Sequence, residues 1–263
     1  MYWLFLLAAE PPSPAPAVRQ EILAMPRTAA DDSGTQGPYC TARKSWCLSF
    51  ERSESGEEPI AAVTVAHGAA HATAPIAVVH DQLRFWDEPI SYRTGDDRDG
   101  LILGLRTWRT EGYSGGGAGV NALKLVRAEM GADGKLVLAA LDDWIPFGGS
   151  ALIRACFSER DIKLRRGLCQ DDYELEVKIR PDGKLVHDMP SLLYISEATV
   201  SPGFAARDQD NSDPAFLKKL TRRDFLPRTD QRCTFTRTMK AAAERDRYVL
   251  DAPDCSEFTA GQE

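Results

Sequence analysis

Short apolar runs separated by turn signals recur along most of the chain, and this rhythm constrains the fold more than any other sequence feature. From Tyr39 onward, turn signals such as Asp133-Gly134 and Asp182-Gly183 interrupt runs in which apolar and polar residues alternate. A period of two is typical of half-buried strands, and Asp-Gly pairs favour tight turns. The sequence therefore predicts an all-β fold of antiparallel sheets, arranged as a sandwich, a barrel or a small propeller.

Helices are expected to be few and short. Residues 18–25 could form one helical turn, and residues 216–223 and 239–245 have the composition of short helices. The predicted strands follow one another without long segments between them. Parallel strands would need such crossover segments, so antiparallel pairing is favoured. The glycine pair Gly148-Gly149 is interpreted as a further turn, which divides residues 136–157 into two strands.

The six cysteines fall into three close pairs, and local disulfides are expected. The pairs are Cys40 with Cys47, Cys156 with Cys169, and Cys233 with Cys255. Other pairings are open, but pairing within each close pair requires the least loop closure. The spacings do not match zinc sites, since no Cys-x-x-Cys occurs. Disulfides persist in oxidising compartments, so the sequence predicts a periplasmic or secreted protein.

The N-terminal residues have the composition of an export signal followed by a linker. Residues 1–17 combine an apolar run with small residues and prolines, as a signal-peptide-like segment does, although no Lys or Arg precedes the run. Residues 18–36 are expected to form a flexible leader, and residues 37–263 a single β-rich domain. The apolar run is too short to cross a bilayer, so no transmembrane span is predicted.

The charge balance argues against a nucleic-acid partner. The net charge is −7, whereas phosphate binding requires a concentrated basic surface. The basic residues are scattered among acids, which is typical of a solvated mixed surface.

The segment 153–176 is the best-defined local unit, because Cys156 and Cys169 bracket a densely charged loop between two strand-like runs. This layout predicts a hairpin whose loop is closed by a disulfide. Arginine is the side chain best suited to paired hydrogen bonds with carboxylates and phosphates. We therefore expect Arg165 and Arg166 to form an exposed edge that binds an anionic ligand or an envelope protein. The alternative is a solvated loop closed only for stability.

The segment Gly112-Tyr-Ser114-Gly-Gly116 matches G-x-S-x-G, the pattern that holds a serine nucleophile on a sharp strand-to-helix turn. Asp172 or Asp171, followed by His187, would complete a triad in the order serine, acid, histidine. The strand before such a turn is normally buried, whereas residues 106–111 alternate as an exposed strand does. The glycines also fit a β-turn or a bulge, so a serine hydrolase using Ser114, Asp172 and His187 is the alternative.

Two metal interpretations are weaker. Asp208 and Asp210 place carboxylates at alternate positions, as calcium loops do, but the glycine and the closing glutamate of such loops are missing. His67 and His71 could share a metal with His80 only on a helix, and their neighbours favour strand and loop. Asp208 and Asp210 are therefore candidates for a calcium-supported β module, and no cofactor is predicted.

Several segments together resemble those of an uncharacterised group of bacterial exported proteins. They are Tyr113-Ser-Gly-Gly-Gly117, Ile153-Arg-Ala-Cys-Phe-Ser-Glu159 and Ser201-Pro-Gly203, with the terminal cysteines. The likeness covers roughly residues 39–258. It implies export and the cysteine architecture, but no activity, ligand or catalytic residue.

The sequence thus favours a non-catalytic binding module of the cell envelope, whose partner is an envelope protein or an anionic ligand. This is the default for a disulfide-closed β scaffold without a convincing triad or metal set. The serine hydrolase and the calcium-supported module are the alternatives.

Overall fold

The computed structural model describes residues 20–23, 35–41, 45–53, 60–77 and 82–258, and these residues form strands with a few short helices. Every strand pairing among them is antiparallel, so the predicted all-β fold is confirmed. The predicted signal-peptide-like segment, residues 1–17, lies outside the described residues, as does His80.

The strands are β1 (Gln20–Ile22), β2 (Thr35–Cys40), β3 (Trp46–Ser53), β4 (Ile60–His67), β5 (Ala70–Ala77), β6 (Gln82–Phe85), β7 (Ile90–Arg93), β8 (Asp99–Tyr113), β9 (Gly116–Met130), β10 (Leu136–Arg154), β11 (Gln170–Val186), β12 (Met189–Ser201), β13 (Arg228–Thr229), β14 (Phe235–Ala241) and β15 (Tyr248–Val249). The helices are α1 (Glu159–Leu164) and α2 (Pro214–Leu217), with 3₁₀ helices at Arg222–Phe225 and Ser256–Phe258. Among the described residues there is no helix with the length and apolar character needed to cross a membrane.

Two sheets pack against each other. The large, eleven-stranded sheet has the order β1-β7-β8-β9-β10-β11-β12-β14-β15, with β6 also paired to β8 and β13 to β12. The small sheet is a meander of β2, β3, β4 and β5. Alternate residues of both sheets, among them Leu48, Val63 and Leu103, are fully buried in a shared core. The two-sheet arrangement is therefore that of a sandwich in which one sheet is much the larger.

The large sheet also curls around a second core on its other side. Leu123, Leu175 and Ile179 belong to this core, whose β11 members alternate with outward-facing charged residues. The curl brings β1 next to β11, in the middle of the sheet. There the Gln20 side chain donates to the Lys184 carbonyl at 2.8 Å and accepts from the Gly183 backbone N–H at 3.0 Å. Since these are side-chain hydrogen bonds and not a strand ladder, the sheet does not close into a barrel within the described residues.

Two predicted turns are irregularities inside long strands. Gly148 and Gly149 lie within β10, where the register with β9 shifts between Pro146 and Gly148. Gly183 lies within β11, whose register with β12 shifts between Pro181 and Leu185. Glycine serves a bulge as well as a turn, because both require backbone conformations that other residues disfavour. The predicted breaks at these positions are therefore wrong.

Other boundaries also differ from those expected. Residues 239–245 are not helical, because residues up to Ala241 form β14 of the large sheet, whose Met239 and Ala241 are buried in the core that this sheet encloses. The expected helix at 216–223 is replaced by α2 and the first 3₁₀ helix. The range 18–36 is not wholly a leader, since β1 pairs with β7 and β2 begins at Thr35. The described part of the possible helical turn at 18–25 is strand β1.

The three local disulfides are present, as the cysteine spacing predicted. They join Cys40 to Cys47, Cys156 to Cys169 and Cys233 to Cys255, with Cα atoms 4.0, 4.8 and 5.8 Å apart. The loop closed by Cys156 and Cys169 is more ordered than expected, because it contains α1. Ser158 caps this helix by accepting a hydrogen bond from the Asp161 backbone N–H at 3.2 Å.

The C-terminal segment supplies a core side chain beyond the last strand. Phe258 is fully buried, and its ring meets Tyr173 of β11 edge-on, with centroids 6.0 Å apart. Its carbonyl oxygen lies so close to Gly149 of β10 that any side chain at that position would clash with it. The disulfide between Cys233 and Cys255 holds this segment beside the start of β14.

Candidate binding site

The three residues of the proposed triad do not come together. Ser114 lies in the two-residue turn between β8 and β9, which is not a strand-to-helix turn, and lines a hollow of about 410 Å³ with Arg154 and Gln170. Asp172 lies near the start of β11, whereas His187 lies in the turn beyond the far end of that strand. At about 3.3 Å per residue, the strand separates these two residues by several tens of ångströms. The geometry therefore does not support a serine hydrolase.

The loop with Asp208 and Asp210 does not assemble a set of calcium ligands. One carboxylate oxygen of Asp210 accepts hydrogen bonds from the Ser212 backbone N–H at 2.9 Å and from its hydroxyl at 2.6 Å. These bonds lower the pKa of the Asp210 carboxyl. Asp208 is exposed on the same loop and belongs to no group of three ligating side chains in the described part of the chain. The loop is an acidic turn held by Asp210.

The other metal candidates are not supported either. The one described group of three ligating side chains, Asp230, Cys233 and Glu257, includes a cysteine that is already in a disulfide. His67 and His71 lie on the two strands of the β4–β5 hairpin and not on one helix. Their spacing of four residues therefore does not place them on a common face.

The side chain of Arg165 is fully buried, so its predicted place on an exposed binding edge is wrong. Its guanidinium forms an ion pair with Asp171 and donates to the carbonyls of Asn211 at 2.6 Å and Leu168 at 2.8 Å. It also lies over the Phe204 ring, 4.9 Å from the centroid. All three guanidinium nitrogens thus donate within the protein. Arg165 anchors the disulfide-closed loop and does not face an external ligand.

Arg166 is exposed, but it also contacts the protein. Its backbone has a φ of 54°, at the end of α1, and its guanidinium lies over the Phe225 ring at 4.5 Å. The paired edge of Arg165 and Arg166 is therefore not formed, because Arg165 is buried whereas Arg166 is exposed.

A second hollow is a groove across the face of the large sheet, where β8, β9, β10 and β11 run side by side. Its volume is about 450 Å³. We call it the Trp108 groove. Its main lining residues are Trp108 and Thr110 on β8, Gly117 and Gly119 on β9, Ser150 and Leu152 on β10, and Asp172 and Glu174 on β11.

The strand register places the Trp108 ring on one side of the groove and the Asp172 and Glu174 carboxylates on the other. Thr110, Gly119, Ser150 and Glu174 pair in one row across the four strands, so their side chains share one face. The indole of Trp108 lies over Gly119, where an added Cβ would be only 2.7 Å from the ring. Glycine at this position therefore lets the ring extend across β9. Only β10 separates the ring from the carboxylates, at a strand spacing of about 4.8 Å.

The carboxylates of this face lack basic partners. Asp172, Glu174 and Glu176 point outward along β11, and Glu197 on β12 lies directly opposite Glu176. Within the described residues none of the four forms an ion pair. Partial burial raises the pKa of the Asp172 carboxyl. Glu176 and Glu197 do not line the groove, but as like charges directly opposite each other they add negative charge to the same sheet.

Comparison of the chain with protein-family models, curated proteins and solved structures found no match. The chemistry of the Trp108 groove follows from its own residues. The face of an indole attracts cations, most strongly where the cation is partly desolvated, and carboxylates accept hydrogen bonds from ammonium and guanidinium groups. The groove is thus suited to a positively charged group that stacks on Trp108 and donates to Asp172 or Glu174.

The sequence predicted Asp172 only as the acid of a serine hydrolase triad, and it did not point to Trp108 or Glu174. A signal was present, because Gly117 and Gly119 lie two residues apart on β9, which pairs with β8, the strand that carries Trp108. Glycine in a strand often marks a place where another group approaches the backbone. That signal becomes specific only when the register of β8 with β9 is known.

Proposed function

We propose that the protein is a non-catalytic binding protein of the cell envelope that holds a cationic group in the Trp108 groove. The observation that carries the proposal is the pairing of the partly exposed Trp108 indole with carboxylates that have no basic partner. The envelope location is supported by the three disulfides, which an oxidising compartment maintains.

The groove favours a cation over the anionic ligand expected from Arg165 and Arg166. An anion entering it would meet Asp172 and Glu174 without a compensating charge, since none of the residues that line the groove is basic. Burial of an unpaired charge beside like charges is strongly unfavourable. The ligand proposed here therefore carries an ammonium or guanidinium group, either on a basic peptide segment or on a free polyamine.

Both sources of the cationic group can be tested by isothermal titration calorimetry with spermine and with a tetra-arginine peptide. Trp108→Ala and Glu174→Gln are each expected to weaken binding of the tighter probe by about tenfold, since a partly desolvated cation–π contact and a charged hydrogen bond each contribute about 1–2 kcal/mol. Tighter binding of the peptide would identify a basic protein segment as the ligand, and tighter binding of spermine a polyamine.

Two matched variants serve as controls. Trp144→Ala removes another partly exposed tryptophan of the large sheet, and Glu244→Gln removes an exposed carboxylate distant from the groove in the strand order. Neither is expected to change the affinity. The proposal fails if neither probe binds, or if the two control variants weaken binding as much as Trp108→Ala and Glu174→Gln.

Binding should also depend on pH through Asp172. Because burial raises the pKa of this carboxyl, it takes up a proton at a higher pH than an ordinary aspartate as the solution is acidified. Only the ionised form attracts a cation, so affinity should start to fall before the ordinary aspartate range is reached. The Asp172→Asn variant should bind more weakly at neutral pH and should lose this part of the pH dependence. An unchanged pH profile in Asp172→Asn would exclude Asp172 from the site.

A further inference from the structure

The described helices between β10 and β14 form a cap on the large sheet. The helical cap, residues 156–169 and 213–228, contains α1, α2 and the first 3₁₀ helix. Phe204, Leu217 and Phe225 form a small core beneath it, against which Leu164 packs. The stacking of Arg166 on Phe225 joins its two segments. The cap is therefore one structural unit, although its two segments are separated by β11 and β12.

Basic side chains are concentrated on the surface of this cap. Its exposed basic residues are Arg160, Lys163, Arg166, Lys218, Lys219, Arg222, Arg223 and Arg228. Within the described residues none of these eight forms an ion pair. This concentration stands out in a chain whose net charge is −7. It was not visible in the sequence, because the two segments are far apart along the chain.

The acidic residues of the cap do not neutralise this surface by ion pairing. Asp161 accepts from the Phe157 backbone N–H at 3.0 Å, Asp213 from that of Ala215 at 2.9 Å, and Asp224 from that of Thr221 at 2.7 Å. These three carboxylates are committed to capping turns and helix starts. Glu159 is the one remaining acid in the two segments.

Large apolar side chains are exposed on the same cap. Of the seven exposed large hydrophobic residues in the described part of the chain, four lie in it, namely Phe157, Ile162, Leu168 and Leu226. Phe157 is 71% exposed and Leu226 is 60% exposed. Exposed apolar groups concentrated in one region mark interaction surfaces, whereas scattered single ones do not.

We propose that the helical cap docks on a membrane surface that contains anionic lipids. Unpaired Arg and Lys side chains are attracted to anionic headgroups, and aromatic and aliphatic side chains beside them enter the boundary between headgroups and acyl chains. A purely electrostatic partner, such as an anionic polysaccharide, would account for the charges but not for the exposure of Phe157 and Leu226. None of the cap's basic residues lines the Trp108 groove, so the two surfaces take ligands of opposite charge.

The loop that carries most of the apolar groups is held in place before it meets a membrane. The disulfide between Cys156 and Cys169 closes it, and buried Arg165 ties it to Asp171 and Asn211. A loop already held in one conformation loses less conformational entropy on binding. Docking therefore does not require this loop to fold on the lipid surface.

Co-sedimentation with lipid vesicles tests the proposal. The full chain is expected to sediment with vesicles of phosphatidylcholine and phosphatidylglycerol, to remain in solution with phosphatidylcholine alone, and to be released by high salt. The variant Lys163→Gln/Arg222→Gln/Arg223→Gln and the variant Phe157→Ser/Leu226→Ser should each weaken binding to the mixed vesicles at least tenfold. All five positions are exposed, so both variants should keep the thermal unfolding midpoint of the parent chain.

Matched controls remove the same chemistry elsewhere. Lys178→Gln/Lys240→Gln removes exposed charges of the large sheet, and Val137→Ser/Val249→Ser removes apolar side chains that are each 54% exposed. Neither should change vesicle binding. The proposal is overturned if the parent chain does not bind the mixed vesicles, or if the cap variants bind as well as the controls. It is also overturned if the cap variants only abolish self-association in light scattering, which would make the cap an interface between copies. These outcomes leave the spermine and peptide titrations unaffected.

Discussion

Replacing Arg165 with methionine is expected to lower the free energy of unfolding by about 3–5 kcal/mol, the cost of leaving a buried charge without its partner. The Asp171 carboxylate would stay buried, with the Asn211 side chain as its remaining donor at 3.0 Å. Burial raises the pKa of the Asp171 carboxyl, and the Arg165 guanidinium opposes that rise. Without the guanidinium the carboxyl would become protonated more readily. Urea unfolding followed by circular dichroism would measure the loss.

Two further variants make this prediction specific. Arg160→Met changes an exposed arginine of the same loop and should alter stability by less than about 0.5 kcal/mol. Arg165→Met/Asp171→Leu removes both charges and should recover part of the loss, because an apolar pair of similar volume often replaces a buried ion pair without penalty. A loss below about 1 kcal/mol for Arg165→Met would contradict the buried ion pair.

Glu129→Leu is expected to destabilise the protein by a comparable amount, about 3–5 kcal/mol, because it leaves two guanidinium groups without their partner. Glu129 is buried on β9, where it pairs with Arg127 and Arg245 and accepts a hydrogen bond from the Tyr92 hydroxyl. Tyr92 lies on β7, and Arg245 lies in the turn between β14 and β15. The Glu129 carboxylate therefore links β9 to β7 and to the β14–β15 turn, which lie near the two edges of the curled sheet.

Comparing two substitutions of Glu129 distinguishes the contribution of its charge to stability from the contribution of its shape. Glu129→Gln keeps the shape and one hydrogen-bond acceptor but loses the charge, so its destabilisation should be smaller than that of Glu129→Leu. Glu176→Gln removes an exposed carboxylate that faces Glu197 and should leave stability unchanged or slightly raised. Equal unfolding midpoints in urea for Glu129→Leu and Glu176→Gln would show that the buried network does not stabilise the curl.

The parts of the fold that could be predicted depend on short-range signals. Alternation along residues 173–179 indicates which β11 residues are buried without reference to any other strand. The three disulfides close short loops, so the spacing of the cysteines was informative. Gly148-Gly149 shows the limit of such signals, because the same residues serve a turn and a bulge, and only the partner strand distinguishes the two.

The candidate site could not be predicted, because it depends on register and on contacts between distant residues. Trp108 and Glu174 share a groove only because β8, β9, β10 and β11 pair in one alignment. Arginine is usually a surface residue, and only the contacts of Arg165 with Asp171 and Asn211 show that this one is buried. The motif around Ser114 was conspicuous for its glycines, which a two-residue turn also requires.

The position of Phe258 has a consequence for when the fold can be completed. A core that needs a residue lying beyond all fifteen strands is incomplete during synthesis, since ribosomes deliver that residue after the strands it must pack against. Until then Tyr173 and the surface around Gly149 stay uncovered. The last segment of the chain supplies both the missing ring and Cys255, the disulfide partner of Cys233, so the core and this covalent link are completed together.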